Sequence, residues 1–380
     1  MSTVLAPCEV AVNCPMSDQV VAKRLLSDLS KAQLTDELTA LGAPPYRVGQ
    51  VWEGMYRSLA PDIASMTNLP LDLRSELSGR LVFPGLQAVA ETVSDRGDTQ
   101  KVLFRLSDGD TVESVLMRYQ RRRTVCVSSQ VGCAIGCPFC VTGQAGFRRN
   151  LSAGEIIEQV LFFARALSSQ GERVTHIVLM GMGEPLLNYD NVWQAIETWH
   201  DEAGFALGAR RVTLSTAGVV PGIDQLSRER LQIGLSVSLH AADDALRDEL
   251  VPLNRRYPLR DLLAACRRYV ERTNRRVTFE YALIDGLNDS AEQAQALVRL
   301  LSGLLSHVNL IPLNPGPAER GRRQRADGVR TGYTRPPRER VERFREVLES
   351  CGTPVTVRLG RGVDIQAGCG QLRSRQPSIN

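Results

Sequence analysis

The stretch Thr124-Val-Cys126-Val-Ser-Ser-Gln-Val-Gly-Cys133-Ala-Ile-Gly-Cys137-Pro-Phe-Cys140 decides how this chain is read. It opens as a β-rich run, Thr124–Ser129, and passes at once into three cysteines spaced C-x3-C-x2-C. Three thiolates at that spacing can bind three irons of a four-iron cluster and leave the fourth iron open for a small molecule. A cluster with four cysteine ligands mostly carries electrons. Zinc ligands tend to come as two separated pairs, and no His or Cys follows closely after Cys140, so the spacing favours a cluster over zinc. Nine cysteines is an odd count. The chain is also long and does not open on a signal-peptide pattern, which argues against a disulfide framework.

Outward from that stretch, β-rich runs recur at Val174–Met180, Arg211–Ser215, Ile233–His240, Val277–Ile284 and His307–Pro312. Helical periodicity separates them, over Ala153–Leu167, Val192–Ala203, Leu259–Thr273 and Ala291–Leu305. Such alternation makes βαβ units and a parallel sheet. Six units predict an α/β fold with an open or partial barrel, whose chemistry gathers at the C-terminal strand ends. The cysteine triplet follows the first strand. The second runs into Gly181-Met-Gly183-Glu184-Pro185, where glycine lets backbone approach a ligand and Glu184 can take an ammonium group. The third ends Ser215-Thr216-Ala217-Gly218, the fourth Ser238-Leu239-His240 and the sixth Asn314-Pro315. Any one of these is an ordinary turn, but four at one mouth predict a ligand pocket. His240 alone reads more readily as a satisfied structural histidine.

A chain of 380 residues can bury a large core, and 43% hydrophobic content is that of a globular protein. No apolar run is long enough to cross a membrane. The expectation is a soluble, cytoplasmic protein with reduced thiols. The net charge of +4 says little about partners. Local charge says more: Arg118 with Arg121–Arg123, and seven arginines against the single acid Asp327 between Arg320 and Arg338. A solvated loop accounts for either run, and so does a phosphate backbone, the usual reason to concentrate arginine.

Residues 20–95 read as helical, with periodicity over Ala32–Leu41, Gln50–Leu59 and Leu71–Leu81. Trp52 and Tyr56, on one helix face, read as core packing rather than a base-stacking platform. Gly97–Tyr119 reads as a hairpin turning at Asp108-Gly109, with Glu113 on the return strand. Residues 1–18, with Cys8 and Cys14, read as a flexible tail. Cys266 and Cys351 read as buried packing thiols. Cys369, between Gly368 and Gly370, has the small neighbours of a residue that moves.

These motifs, in this order, resemble the radical S-adenosylmethionine (SAM) RNA methyltransferases. The resemblance rests on Cys126-Val-Ser-Ser-Gln-Val-Gly-Cys133, CAIGCPFC, GMGEP, LSTAG, SVSLH, NLIPLNP and AGCGQL, spread over most of the chain. Within that family the chain is most similar to the RlmN type, which methylates carbon 2 of adenosine in ribosomal RNA and often in transfer RNA. The Cfr type, which methylates carbon 8, shares most of these motifs and is the alternative. A non-catalytic iron–sulfur RNA-binding protein is the distant one, and it would leave Glu113, Cys126 and Cys369 without a task.

The resemblance implies a partial (β/α)6 radical-SAM barrel over residues 96–350 with a β-hairpin extension. It also implies a helical RNA-binding accessory domain over 19–95 and a C-terminal segment, 351–380, carrying the methyl-accepting cysteine. Cys133, Cys137 and Cys140 would bind a 4Fe–4S cluster. SAM, two molecules per turnover, would sit among Gly183, Glu184, Ser215, Ser238, Leu239, His240 and Asn314. One SAM would methylate Cys369, and the second would yield a 5′-deoxyadenosyl radical that draws hydrogen from that methyl. The resulting methylene would add to electron-poor carbon 2, and Glu113 would take the ring proton. Cys126 would attack the Cys369 sulfur, leaving a transient disulfide. The implied partners of a monomer are 23S ribosomal RNA, the anticodon loop of transfer RNA and a flavodoxin-type electron donor, with no membrane. Between Asn314 and Arg338 the chain is longer than the family pattern. This insert is the arginine-rich loop, expected to add phosphate contacts.

Overall fold

The computed structural model describes residues 23–314, 323–324, 330–358 and 360–373. The expected tail lies outside them, as do residues 320–322 and 325–329 of the arginine-rich loop. Within that loop Arg323–Gln324 pairs antiparallel with Arg330–Thr331.

A ten-stranded sheet runs through the protein. Its strands are β1 Gln87–Val93, β2 Thr99–Arg105, β3 Thr111–Arg118, β4 Arg123–Cys126, β5 His176–Leu179, β6 Val212–Thr216, β7 Gly234–Ser238, β8 Val277–Leu283, β9 Ser306–Pro312 and β10 Val355–Val357. Their spatial order follows the chain from one edge to the other. From β1 to β4 the pairing is antiparallel, and from β4 to β10 every pair is parallel.

Three helices precede the sheet: α1 Lys31–Ala40, α2 Tyr46–Tyr56 and α3 Leu71–Arg80. Parallel neighbours need crossovers, which α4 Ala153–Ser168, α5 Tyr189–His200, α6 Val220–Leu226, α7 Leu259–Thr273, α8 Ala291–Leu301 and α9 Arg338–Ser350 supply. Along most of these strands apolar residues alternate with polar ones, as in Val212-Thr-Leu-Ser-Thr216 and Gly234-Leu-Ser-Val-Ser238. One face packs under the helices and the other, with Ser215, Ser238 and Glu280, lines a cavity. Val125, Ile177, Val237, Phe279 and Leu310 are all fully buried.

Each of the six expected strand runs overlaps one of β4–β9, with bounds that agree to within a few residues. A seventh parallel strand, β10, extends the sheet from within the C-terminal segment, its three residues too few to show a period. Residues 87–93 correct the helical reading of 20–95, since they form β1. Alternation is blurred there because β1 is a sheet edge and most of its residues meet solvent, and polar residues on an edge discourage further pairing. Cys351 is also a correction. It is exposed at the end of α9, whereas Cys266 is fully buried as expected.

The N-terminal helices share the main apolar core. Ser30 starts α1 with a capping box to Gln33. Trp52 and Tyr56 pack edge to face at 4.6 Å, both buried, as core residues do. Glu158 on α4 fastens this region by accepting from Ser27 Oγ (2.6 Å), Gly85 N–H (2.7 Å) and Leu86 N–H (2.9 Å). Asp28 Oδ1 accepts the Gly154 N–H at the start of α4 at 2.7 Å. Among the described residues no helix is long and apolar enough to cross a membrane.

Candidate active site

After β4 the chain forms a short ladder, Gln130–Gly132 against Phe147–Asn150, and the cysteine loop is the excursion between its strands. Gly132 has φ +76°, and a Cβ there would strike the Gly146 carbonyl, so a glycine is required. That carbonyl accepts the Cys133 N–H at 2.9 Å. Ile135 anchors the middle of the loop in a small apolar cluster with Leu250, Ile284 and Leu313. Cys140 opens the single helical turn Val141–Gln144. Cys133, Cys137 and Cys140 thereby line one wall of a cavity of about 170 Å³.

Strand ends supply the other walls. Gly183 and Glu184 come from the end of β5, Ser215 from β6, Ser238 and His240 from β7, and Asn314 from β9. Leu239 is the exception among the residues picked from sequence. Its side chain is fully buried in the core and its N–H donates to the Glu280 carbonyl at 2.9 Å.

Glu184 Oε2 accepts the Ala217 N–H at 2.7 Å and Oε1 the Leu186 N–H at 3.1 Å. Burial nevertheless pushes its pKa up to about 7. A cationic group beside it would restore the charged form. His240 Nδ1 accepts the Ala282 N–H at 2.9 Å, which leaves the ring proton on Nε2. Burial, with Arg247 nearby, holds this imidazole neutral, its pKa lowered to about 3. The structural reading of His240 and its place in the cavity wall therefore coexist.

Arg247 was not visible as a site residue in the sequence. It is fully buried and donates to the carbonyls of Ala217 (2.7 Å), Ser238 (3.2 Å) and Leu239 (3.1 Å), tying the ends of β6 and β7 together. Asn314 Oδ1 is buried with no hydrogen-bond partner among the described residues.

Cys369 lines this cavity and also a second one of about 40 Å³, whose wall includes Cys126, Val115, Met117 and Tyr119. Sheet register puts Cys126 there: it pairs with Val115, on the face of β3 that carries Glu113 and Met117. Both cysteines are free thiols. Burial, reinforced by Cys369, pushes the Cys126 thiol up to about 12, and Arg358 opposes the rise. Arg358 lines both cavities, and the neighbouring Cys369 raises its pKa further. Nothing local marked it out in the sequence. Glu113 is outside both walls. Its Oε1 pairs with Lys101 at 3.0 Å and its Oε2 accepts the Arg373 N–H at 2.9 Å.

Burial pushes the Cys133 thiol up to about 12 and Cys137 well above its ordinary value, and each neighbouring cysteine adds to this. Such thiols hold their protons until a metal displaces them. Among the described residues no three His, Cys, Asp or Glu side chains are arranged to hold a single metal ion. A cluster binds its thiolates through separate irons, so it asks only for thiols along one wall. The donor set fits such a group, and the orphaned Asn314 oxygen and buried Glu184 fit a polar molecule beside it.

Residues 127–298 match the radical SAM superfamily, and residues 25–82 match the ribosomal RNA large subunit methyltransferase N-terminal domain. A Chloroflexus aurantiacus protein named probable dual-specificity RNA methyltransferase RlmN is 49% identical over 364 residues, 93% of each chain. A Myxococcus xanthus protein named dual-specificity RNA methyltransferase RlmN 1 is 46% identical, covering 92% of this chain and 94% of its own. The crystal structure of a radical SAM methyltransferase from Sphaerobacter thermophilus superposes with a TM-score of 0.88 at 53% identity, covering 92% of this chain and 99% of that one.

Proposed function

The chain belongs to the RlmN family of radical SAM RNA methyltransferases, which use a 4Fe–4S cluster and SAM, and from that premise we propose that it methylates carbon 2 of adenosine through a carbon carried on Cys369. The substrates are 23S ribosomal RNA and the anticodon loop of transfer RNA, in keeping with the dual specificity named for its relatives. One observation carries the reading: Cys369 lines both the cavity of the three cysteines and the cavity of Cys126.

Cys133, Cys137 and Cys140 would hold the cluster, while Gly183, Glu184, Ser215, Ser238, His240 and Asn314 would surround SAM, with Leu239 packed behind them. Bound together, cluster and SAM would supply the methyl group, the electron and the hydrogen-abstracting species, and would take one electron back once the carbon is joined to the ring and the ring proton has left. Cys369 Sγ takes the methyl, and after activation its carbon bonds to ring carbon 2. Glu113 accepts the ring proton as its base. Cys126, whose thiolate Arg358 favours, would attack Cys369 Sγ. The S–S bond forms, the S–C bond breaks, and its electron pair stays on the transferred carbon, which takes up the proton that Cys126 gives up and becomes methyl. A dithiol reductant then restores both thiols. A flavodoxin-type partner delivers the electron to a cytoplasmic monomer.

Anaerobically reconstituted protein, given SAM, reductant and unmodified RNA fragments, tests this by mass spectrometry of digested nucleosides. The expected result is adenosine methylated at carbon 2 in ribosomal and transfer RNA, absent with Cys369→Ala. Methylation at carbon 8 would overturn the site of transfer, and product from Cys369→Ala would overturn the carrier.

A further inference from the structure

The carboxylate assigned to the ring proton is occupied in this structure, and the segment that carries Cys369 occupies it. Lys101 Nζ lies 3.0 Å from Glu113 Oε1 and donates to the Gln366 carbonyl at 3.2 Å. Glu113 Oε2 accepts the Arg373 N–H at 2.9 Å. The two anchor points, Gln366 and Arg373, straddle Cys369. The Lys101 and Glu113 side chains are buried, 9% and 3% exposed. The register explains the pair. Leu103 opposes Glu113 across β2 and β3, so Lys101 is a diagonal neighbour on the same sheet face, within reach of a long side chain. Away from this pair, the segment is tied to the cysteine loop by Val141 N–H to the Gly370 carbonyl (2.8 Å) and Thr142 Oγ1 to the Leu372 carbonyl (2.5 Å).

We propose that Lys101 is a positioning residue that couples the Cys369 segment to Glu113, so that segment and target base compete for one carboxylate. This rests on the roles of Glu113 and Cys369 given above. With the segment down, Glu113 is its latch. When RNA enters and the segment lifts, Oε2 loses the Arg373 N–H and becomes the acceptor of the ring proton, while the C–H electron pair stays with the ring. Lys101 holds the carboxylate by Oε1 throughout. A buried carboxylate stripped of every partner would be strongly unfavourable, so the latch can open only because this cation stays. A base that is covered until the carrier moves also keeps the ring proton and the delivered carbon in step.

The test compares Lys101→Met, Lys101→Arg and Glu113→Gln holoenzymes with the unaltered chain, using SAM, reductant and a 23S RNA fragment. Three products are counted: 5′-deoxyadenosine, methylated adenosine, and protein–RNA adduct that survives denaturation. For Lys101→Met, methylated adenosine should fall by at least about tenfold, with 5′-deoxyadenosine within about threefold and adduct accumulating, the signature of a failing base. Lys101→Arg should restore most of the product. In cofactor-free protein, amides of residues 366–373 should exchange faster in Lys101→Met than in the unaltered chain. Unchanged product, or 5′-deoxyadenosine and product falling together without adduct, overturns the proposal. If Lys101→Met does not fold, Lys101→Gln is judged by the same counts. Normal turnover by Glu113→Gln would sink the base reading itself. Adduct in Glu113→Gln but not in Lys101→Met would sink only the role of Lys101.

Discussion

The two end regions of the described chain close on the same barrel by different physics. The N-terminal helical region sinks Leu26, Leu29, Leu34, Leu38, Val51, Trp52 and Met55 into the main core, each at most 3% exposed. At about 25 cal/mol per Å² of apolar surface removed from water, that makes it part of the scaffold. Residues 360–373 bring Leu372 as their buried large apolar side chain and otherwise hold on by polar bonds. Each such bond is worth about 1 kcal/mol net. Hydrogen bonds to a segment can be exchanged for bonds to a substrate at little net cost, whereas a buried tryptophan has no such substitute. The N-terminal end is scaffold, and the C-terminal end can let go without unfolding the core.

The sharpest test of that contrast is Cys369→Ala. Methylation should fall to background, while the urea midpoint stays put because the side chain is partly exposed and borders two cavities. A clear loss of midpoint would move the segment into the scaffold and break the comparison. Glu158→Ala should do the reverse. Losing the acceptor for Ser27, Gly85 and Leu86 should cost about 4 kcal/mol of unfolding free energy. Activity per folded molecule should hold.

The barrel rim belongs to the rigid side, and pH reports on it through His240. Its folded pKa of about 3 lies below the ordinary 6.5, so the folded chain binds fewer protons than the unfolded one between those values. That contribution to stability is fully present above about pH 6.5 and is lost as pH falls toward 3. Acidification to about pH 4 should cost the unaltered chain roughly 3 kcal/mol more than His240→Asn. Asparagine tolerates the left-handed backbone at that position, where φ is +61°. Equal slopes in the two denaturation series would show that the ring is not held neutral. The smallest effect is expected from Thr142→Val, which removes the bond to the Leu372 carbonyl. About 1 kcal/mol of local protection should disappear from the amides of residues 368–373, with global stability unchanged. Loss of global stability instead would count against an exchangeable segment.

Much of this was legible along the chain. The runs behind β4–β9 are short and β-rich, and in most of them apolar residues that pack under the helices alternate with polar ones that do not, so a period of two marks them. Asp108-Gly109 marks the turn between β2 and β3, and Gly109 there has φ +86°. The wall residues from Gly183 to Asn314 sit at strand ends, where polar and glycine residues interrupt apolar runs. Leu239 was swept in with its motif, although its side chain belongs to the core. β1 was lost because a solvent-facing edge carries no clean alternation, and β10 because three residues hold no period. Arg247, Arg358 and Lys101 were invisible for another reason. In an arginine-rich chain, a buried cation looks like a surface one until its partners are known.

By itself the sequence determined the strand–helix alternation, the cysteine spacing and the family, because each of these is written in contacts and periods a few residues long. Only the tertiary structure decided that Cys369 stands between two cavities and that Lys101 and Glu113 clasp the segment on either side of it. Those contacts join residues 265 and 260 positions apart. They depend on the register of β2 and β3 and on where the chain returns after β10, which no local pattern encodes.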